Sequence, residues 1–239
     1  MPLNVAVNIG ARPVPQIVPP IVVVQQARAA GNPHAARALA VTRPFIRIDQ
    51  TGLQYDTRPI LRPTEFRFRT GVLRLTLSQT IHIAKDISAC AQGIWAQHEQ
   101  DHVRDNQGIM GRMDRQIRAH RDLQTIFFAP QWRPIGSFNA IQNRIEATVA
   151  GIFRRLVSDA IQRRDTRPEY ARVQRSILRA CPGFFYHEVV RGETLAKLAL
   201  YYYGNYRSWR SIYEQNRRVI GRNPDLIYPG QQLLIPKNP

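Results

Sequence analysis

The sequence has few cysteines and no long apolar run. Two cysteines, Cys90 and Cys181, are too few for a cysteine-based zinc framework, and the sequence leaves open whether they form a disulfide. No apolar run is long enough to cross a bilayer, because Pro19 and Pro20 interrupt the run from Ile17 to Val24. The N-terminus lacks a charged segment followed by an apolar one, so we predict no signal peptide. We therefore expect a chain made in the cytoplasm, which would need another route to act outside the cell.

Lysine and acidic residues are also scarce. Against 34 basic residues there are 17 acidic ones, a net charge of +17, and the lysines are Lys85, Lys197 and Lys237 alone. Arginine favours bidentate contacts with carboxylates and phosphates, so this surface suits a polyanion, an anionic lipid or wall, or an acidic neighbour in an assembly. Solubility alone explains the charge equally well. No basic run carries interleaved aromatic residues, which argues against nucleic acid as a partner.

Residues 1–43 form a segment rich in proline, alanine and valine that contains no acidic residue. This composition predicts an extended arm. The arm is either a poorly ordered terminus or a tether, a pro-segment or a strand donated to a partner. Ile21 to Val24 is the stretch that could add such a strand.

Residues 44–182 combine strand patterns with helical patterns, which indicates an α+β fold class. Alternating apolar and polar residues predict short strands with a turn at Thr70–Gly71; these strands are residues 45–49, 66–69, 73–77 and 81–83. Apolar spacings of three, four and seven predict one helix from about residue 87 to residue 127 and a second from Ser137 to Arg164. A short helix follows at residues 172–179. Cys181-Pro182-Gly183 then marks the boundary to a third part, residues 184–239.

The first predicted helix contains the motif His98-Glu99-x-x-His102. Residues four apart lie on one face of a helix, so the two imidazoles can bind one ion, and two imidazoles are half of a common Zn²⁺ coordination shell. Glu99 is placed to take a proton from a metal-bound water. Because both histidines fall on the apolar stripe of the helix, a pair of hydrogen-bonded core histidines is the alternative.

A third zinc ligand is expected from the helices that follow. Glu146 lies at the edge of the apolar stripe of the second helix and is the first choice, with Asp159, Asp165 and Glu169 as alternatives. A carboxylate from a second helix would complete the zinc shell. A salt bridge between Glu146 and one of the many arginines is the competing explanation.

Residues 60–110 resemble the small zincin-like metallopeptidase domains of bacteria. The resemblance is carried by Ile81–Ala84, by Cys90-Ala91 and by the motif segment His98–Val103. It implies a few strands followed by long helices, bound Zn²⁺ and Glu99 as the catalytic base. Gln100 and Asp101 depart from the usual zincin pattern, so an inherited scaffold that no longer cuts is the alternative.

The C-terminal part resembles a LysM domain along its whole length. The physical pattern agrees, since a strand ends at Gly192, Thr194 can cap a helix that Gly204 ends, and a second helix precedes a strand at residues 232–235. This is a βααβ arrangement. The resemblance is carried by residues 186–195, Leu198-Ala199, Tyr202-Tyr203-Gly204, 209–216 and 223–236.

The LysM resemblance implies binding to peptidoglycan, chitin or another glycan that contains N-acetylglucosamine. The implied groove lies between the loop after the first strand and the loop before the last. It would use Gly192, Glu193, Thr194, Leu195, Asp225, Leu226 and Ile227. LysM modules also serve as structural joints in phage tails and contractile injection machines, where they need not bind sugar.

Two functions from different classes follow. The first is a zinc hydrolase targeted to peptidoglycan, with Zn²⁺ held by His98, His102 and Glu146 and with Glu99 as base. The second is a structural, non-catalytic component of a phage tail, baseplate or injection assembly, packed against protein neighbours. The His-Glu-x-x-His motif favours the first, while the basic charge and the missing signal peptide favour the second.

Overall fold

The fold is mixed α and β, as the sequence predicts at that level. A computed structural model describes residues 3–30, 32, 38–85, 87–182 and 185–237. Contacts divide the chain into two units, one made of Met1–Lys85 and Glu99–Arg164 and the other of Asp86–His98 and Asp165–Pro239. This differs from the predicted division at Cys181–Gly183, because the last helix of the middle part packs with the C-terminal unit. No described helix is both long enough and apolar enough to cross a membrane.

A five-stranded sheet forms the framework of the first unit. The central strand β4 pairs along one edge with the antiparallel β3, and along the other with the parallel β1 and β2 and the antiparallel β5. The apolar side chains of β4 point alternately into the core, where Leu73, Leu75 and Leu77 are fully buried. The strands are β1 (Asn4–Ile9), β2 (Pro15–Val18), β3 (Ala40–Arg58), β4 (Glu65–Ala84) and β5 (Arg133–Pro134).

The predicted turn at Thr70–Gly71 is wrong, because β4 runs through it. A Cβ atom on Gly71 would lie 2.5 Å from the carbonyl oxygen of Gly52 and 2.6 Å from the Cα of Leu53. The pairing of β3 with β4 shifts register on either side of this approach. The glycine therefore permits close backbone contact at an irregularity in the sheet, which a sequence pattern cannot separate from a turn.

The N-terminal segment is folded onto the first unit. Ile21 to Val24, predicted as a strand, belongs instead to the helix α1 (Pro20–Ala29). Proline is well tolerated at the first helical position, so Pro20 starts this helix rather than preventing it. Val23 and Ala27 on its inner face are fully buried and pack in a cluster with Val41 and Ala84.

Helices complete the core of the first unit. The single helix predicted up to residue 127 is divided by Gly111-Arg112 and by the extended backbone of His120. The second predicted helix is confirmed, with Ile145, Val149 and Ile152 buried as its stripe requires. The helices of this part of the chain are α2 (Ala89–Met110), which begins in the second unit, α3 (Met113–Ala119), α4 (Arg121–Phe127), α5 (Phe138–Arg164) and α6 (Arg167–Ala180), which belongs to the second unit.

The second unit contains a two-stranded antiparallel sheet with helices between its strands. Thr194 caps the first helix by accepting a hydrogen bond from the backbone N–H of Lys197, and Gly204, at φ 76°, ends it. The strand and helix order predicted from sequence is present, with two additional short helical turns at Tyr206–Ser208 and Arg217–Ile220. The elements are β6 (Phe185–Glu188), α7 (Leu195–Tyr203), α8 (Trp209–Gln215), α9 (Arg217–Ile220) and β7 (Gln232–Ile235).

A disulfide joins Cys90, in the first turn of α2, to Cys181, the residue after α6. The two Cα atoms are 5.5 Å apart, and 91 residues separate the cysteines in the sequence. Both cysteines belong to the second unit. The disulfide therefore fixes the start of α2 to the end of α6.

Candidate functional site

The His-Glu-x-x-His motif lies on α2 as predicted, with all three of its named side chains buried. His98 is 4% exposed, Glu99 3% and His102 6%. One ligand atom from each lies within 4.8 Å of those of the other two. Two imidazole nitrogens and a carboxylate are a donor set that suits Zn²⁺. The residues present therefore fit the predicted metal.

Two carboxylates flank the ring of His98 inside the second unit. Asp165 Oδ1 lies 3.6 Å from His98 Nε2, and Glu169 Oε1 lies 3.6 Å from Nδ1. A distance of 3.6 Å is too long for a hydrogen bond. With bonds of about 2.0–2.2 Å around a tetrahedral zinc ion, two donor atoms stand about 3.3–3.6 Å apart. The distance between Asp165 and His98 falls at the upper end of this range, while the group whose ligand atoms all lie within 4.8 Å of one another consists of His98, Glu99 and His102.

Aromatic rings fix the orientation of the His98 imidazole. The rings of Trp95 and Tyr170 lie 5.5 and 6.1 Å from it, both roughly edge to face. Trp95 itself is 1% exposed and contacts Tyr170 at 5.5 Å. The short side chain of Asp165 is set by its place before Thr166, whose hydroxyl caps α6. His98 is thus held by packing as well as by its carboxylate neighbours.

Glu99 is held by the sheet of the first unit. The buried hydroxyl of Thr42 on β3 donates a hydrogen bond to Glu99 Oε2 at 2.8 Å and lies 3.1 Å from the backbone carbonyl oxygen of Glu99. This bond orients one carboxylate oxygen of Glu99. Thr42 gave no signal in the sequence, because its partner lies 57 residues away.

The two departures from the zincin pattern have structural explanations. Gln100 Oε1 accepts a hydrogen bond from Arg12 Nε at 2.9 Å, so the residue after the glutamate binds the N-terminal segment. Asp101 pairs with Arg164, which also binds Asp105 through two nitrogens. These contacts attach the outer side of α2 to other parts of the first unit.

The predicted third ligand, Glu146, is not part of the His98–Glu99–His102 group. It follows the buried Ile145 on α5 by one residue, a rotation of about 100°, and is exposed. Asp159 on the same helix is also exposed. The other two alternatives, Asp165 and Glu169, are the ones beside His98.

The loops predicted to bind glycan leave the same end of the small sheet. Val189 and the segment Gly230-Gln231 exchange backbone hydrogen bonds just beyond β6 and β7, so the loop after β6 and the loop before β7 diverge from there. Gly192, at φ 85°, and Thr194 are exposed in the first loop. Leu195 is 3% exposed and belongs to the core, so its side chain does not reach the surface.

Glu193 stabilises its own loop. Its Oε2 accepts a hydrogen bond from the backbone N–H of Val190 and lies 2.8 Å from His187 Nε2. The other ring nitrogen of His187 lies 2.7 Å from the hydroxyl oxygen of Tyr202. The contacts between Tyr202, His187 and Glu193 therefore link α7, β6 and the loop. The carboxylate of Glu193 holds the loop in its conformation.

The loop before β7 exposes an aromatic side chain that the sequence analysis missed. Tyr228 is 57% exposed and Leu226 48% exposed, Asp225 is also exposed, and Ile227 packs partly against the core. An exposed ring beside an apolar side chain is the surface that a sugar ring face needs. The position of Tyr228 next to the Pro229-Gly230 turn was the sequence feature that could have indicated its exposure.

Comparisons with known proteins give one partial likeness. The chain is 38% identical over 52 residues to the potassium binding protein Kbp of Escherichia coli O6:H1, a match that covers 22% of this chain and 34% of that protein. The chain thus spans about a third of the length of the curated relative it matches. No protein-family model matches the chain. No solved structure matches it either.

Proposed function

We propose that this protein is a zinc-binding, metallopeptidase-like protein with a C-terminal glycan-binding module, acting on or at peptidoglycan. The observation that carries the proposal is the buried group of His98, Glu99 and His102 on α2, with its ligand atoms within 4.8 Å of one another. Burial of three ionisable side chains on one helix turn is costly unless an ion or specific partners stabilise them. Two imidazoles on one helix turn favour Zn²⁺, and Glu99 beside them is then available for proton transfer.

His98 and His102 are the proposed imidazole ligands. Asp165 replaces Glu146 as the proposed third ligand, since Asp165 Oδ1 lies at co-ligand distance from His98 Nε2 and Glu146 is exposed. Glu169, on the other side of the ring, is the proposed partner of the nitrogen that does not face the metal. Carboxylates in that position fix the tautomer and orientation of a ligating histidine.

Glu99 is the proposed general base. When bound, Zn²⁺ supplies a Lewis acid that polarises an amide carbonyl and lowers the pKa of water to about 7. Glu99 would receive the proton at a carboxylate oxygen and pass it to the leaving amine. The bond from Thr42 holds Oε2 in place during both transfers.

Zinc content tests the metal site directly. We expect about one zinc per chain after purification in zinc-supplemented buffer, and a loss of zinc in His98→Ala and Asp165→Asn. Glu146→Gln is the matched control, because it removes a carboxylate from the exposed face of α5 and should leave the zinc content unchanged. Zinc-free wild-type protein, or equal loss in Glu146→Gln, would contradict the site.

The C-terminal unit is proposed to bind a glycan that contains N-acetylglucosamine. This rests on the two loops that leave one end of the sheet and on exposed Leu226 and Tyr228. The match to the potassium binding protein Kbp covers a third of that protein, and we do not carry potassium binding over to this chain.

Co-sedimentation with peptidoglycan sacculi tests glycan binding. We expect Tyr228→Ala to weaken binding about tenfold, since an aromatic ring contributes on the order of 1–2 kcal/mol at such a surface. The control is Tyr186→Ala, which removes a ring that is 61% exposed on β6 outside the loops. Equal effects of the two substitutions would indicate non-specific adhesion.

A structural component of a phage tail, baseplate or injection assembly is the second candidate. The low exposure of His98, Glu99 and His102, between 3% and 6%, favours it, because a substrate amide needs access to the base. Under this candidate the protein binds zinc for stability and hydrolyses nothing. Stoichiometric zinc without cleavage of peptide or peptidoglycan would select it.

A further inference from the structure

The connection between β3 and β4 contains two almost fully exposed aliphatic side chains. Ile60 is 86% exposed and Leu61 is 95% exposed, the largest exposed fractions among the described large apolar side chains. They lie in residues 59–64, which join the ends of two long antiparallel strands. Isolated exposed apolar residues are common, but adjacent and almost fully exposed isoleucine and leucine at a hairpin tip are not explained by packing within the chain.

Arginines surround this hairpin tip, defined here as residues 56–69. Four exposed arginines stand against two acidic residues, Asp56 and Glu65. Glu65 pairs with Arg58 at 2.7 Å, and Asp56 pairs with Arg67 at 3.3 Å. The tip is therefore positively charged at its rim and apolar at its end. The four arginines are Arg58, Arg62, Arg67 and Arg69.

A tryptophan supports the base of the tip. Trp132, just before β5, has the guanidinium carbons of Arg58 and Arg67 at 4.2 and 4.8 Å from its ring centroid. These cation–π contacts hold both arginines against the tryptophan ring at the base of the hairpin. The two aliphatic side chains are thus presented at the end of a basic stem.

We propose that this hairpin tip inserts into the surface of an anionic lipid bilayer. Two side chains on a convex loop bury far less than the roughly 1,200 Å² that a stable protein interface needs, so a protein partner gains little from them alone. A bilayer surface, in contrast, can take up a single loop tip that carries two apolar side chains. It also attracts each nearby arginine through its negative surface potential, while tryptophan favours the headgroup region. The arginine rim supplies the charge complementarity that selects anionic lipid.

Vesicle sedimentation of the full chain tests the proposal. The probe is vesicles of phosphatidylcholine with an equal amount of phosphatidylglycerol, compared with vesicles of phosphatidylcholine alone. We expect the wild-type chain to sediment with the anionic vesicles only, and this binding to weaken as salt screens the arginines. The double variant Ile60→Ser, Leu61→Ser should bind at least about tenfold more weakly, since each aliphatic side chain contributes about ten- to a hundredfold to transfer from water.

Val14→Ser is the matched control. Val14 is 79% exposed and lies between β1 and β2, which pair with β4 from Val72 and from Ile81 onward, beyond the residues of the tip. This substitution should leave vesicle binding unchanged. All of these side chains are on the surface, so the variants should melt at the wild-type temperature, which a thermal scan verifies. Wild-type protein that does not bind anionic vesicles would overturn the proposal, and undiminished binding by the double variant would also overturn it.

Discussion

Removing the disulfide between Cys90 and Cys181 should lower the free energy of unfolding by about 4–5 kcal/mol. The bond closes a loop of 91 residues, and restricting a loop of this length in the unfolded chain contributes that amount in the chain-entropy model. The double variant Cys90→Ala, Cys181→Ala is compared with the wild type by urea unfolding. Both proteins are kept in excess chelator, so that a difference in bound metal does not enter the comparison.

A reducing agent supplies the control for this experiment. Reduction should lower wild-type stability by about as much as the double substitution does and should leave the double variant unchanged. A thiol titration of the denatured, unreduced wild type should find no free thiol. Two free thiols, with a wild type that is insensitive to reductant, would contradict the disulfide.

The pairing of Cys90 with Cys181 could not be predicted from the sequence. Two cysteines in a chain can pair in one way, but their separation of 91 residues gives no indication that α2 and α6 bring them to a Cα distance of 5.5 Å. Local patterns were more reliable. The Thr194 cap, the Gly204 stop and the apolar stripe of α5 depend on contacts within a few residues, and each is present.

The errors arose where distant residues determine the local structure. Gly71 was predicted in a turn, because nothing in the sequence shows that Gly52 approaches its backbone from the opposite strand. Ile21 to Val24 has high strand propensity, yet burial of Val23 and Ala27 against Val41 and Ala84 favours a helix there. Tertiary packing overrode local preference in both cases.

The candidate site likewise combines residues that local spacing predicts with contacts that depend on the fold. His98, Glu99 and His102 were found from sequence, because a spacing of four on one helix is a local property. Glu146 was chosen by its place on a stripe, and one residue of rotation puts it on the exposed face. Asp165 was only an alternative in the sequence and Thr42 was not named at all, because the contacts of Asp165 with His98 and of Thr42 with Glu99 depend on the fold.

Substituting Glu99 with glutamine should abolish most hydrolytic activity while leaving zinc bound. A general base contributes about 10²–10⁴-fold to the rate, and glutamine keeps the size of the side chain but cannot accept the proton. Turnover of peptidoglycan fragments and of short peptides by zinc-loaded protein gives the rate. Zinc content, measured on the same samples, separates loss of the base from loss of the metal.

Thr42→Val and Gln100→Ala test whether a change in turnover arises specifically through Glu99. Thr42 donates to Glu99 Oε2, so its loss should reduce turnover about 10–100-fold, in the range seen when a supporting hydrogen bond is removed from a metal site. Gln100 is next in the sequence but binds Arg12, so Gln100→Ala should leave turnover close to the wild-type value. If Glu99→Gln keeps full turnover, Glu99 is not the base. Wild-type protein that holds zinc and cleaves nothing instead identifies the site as a structural metal centre, since the same donor set stabilises a fold when no substrate reaches it.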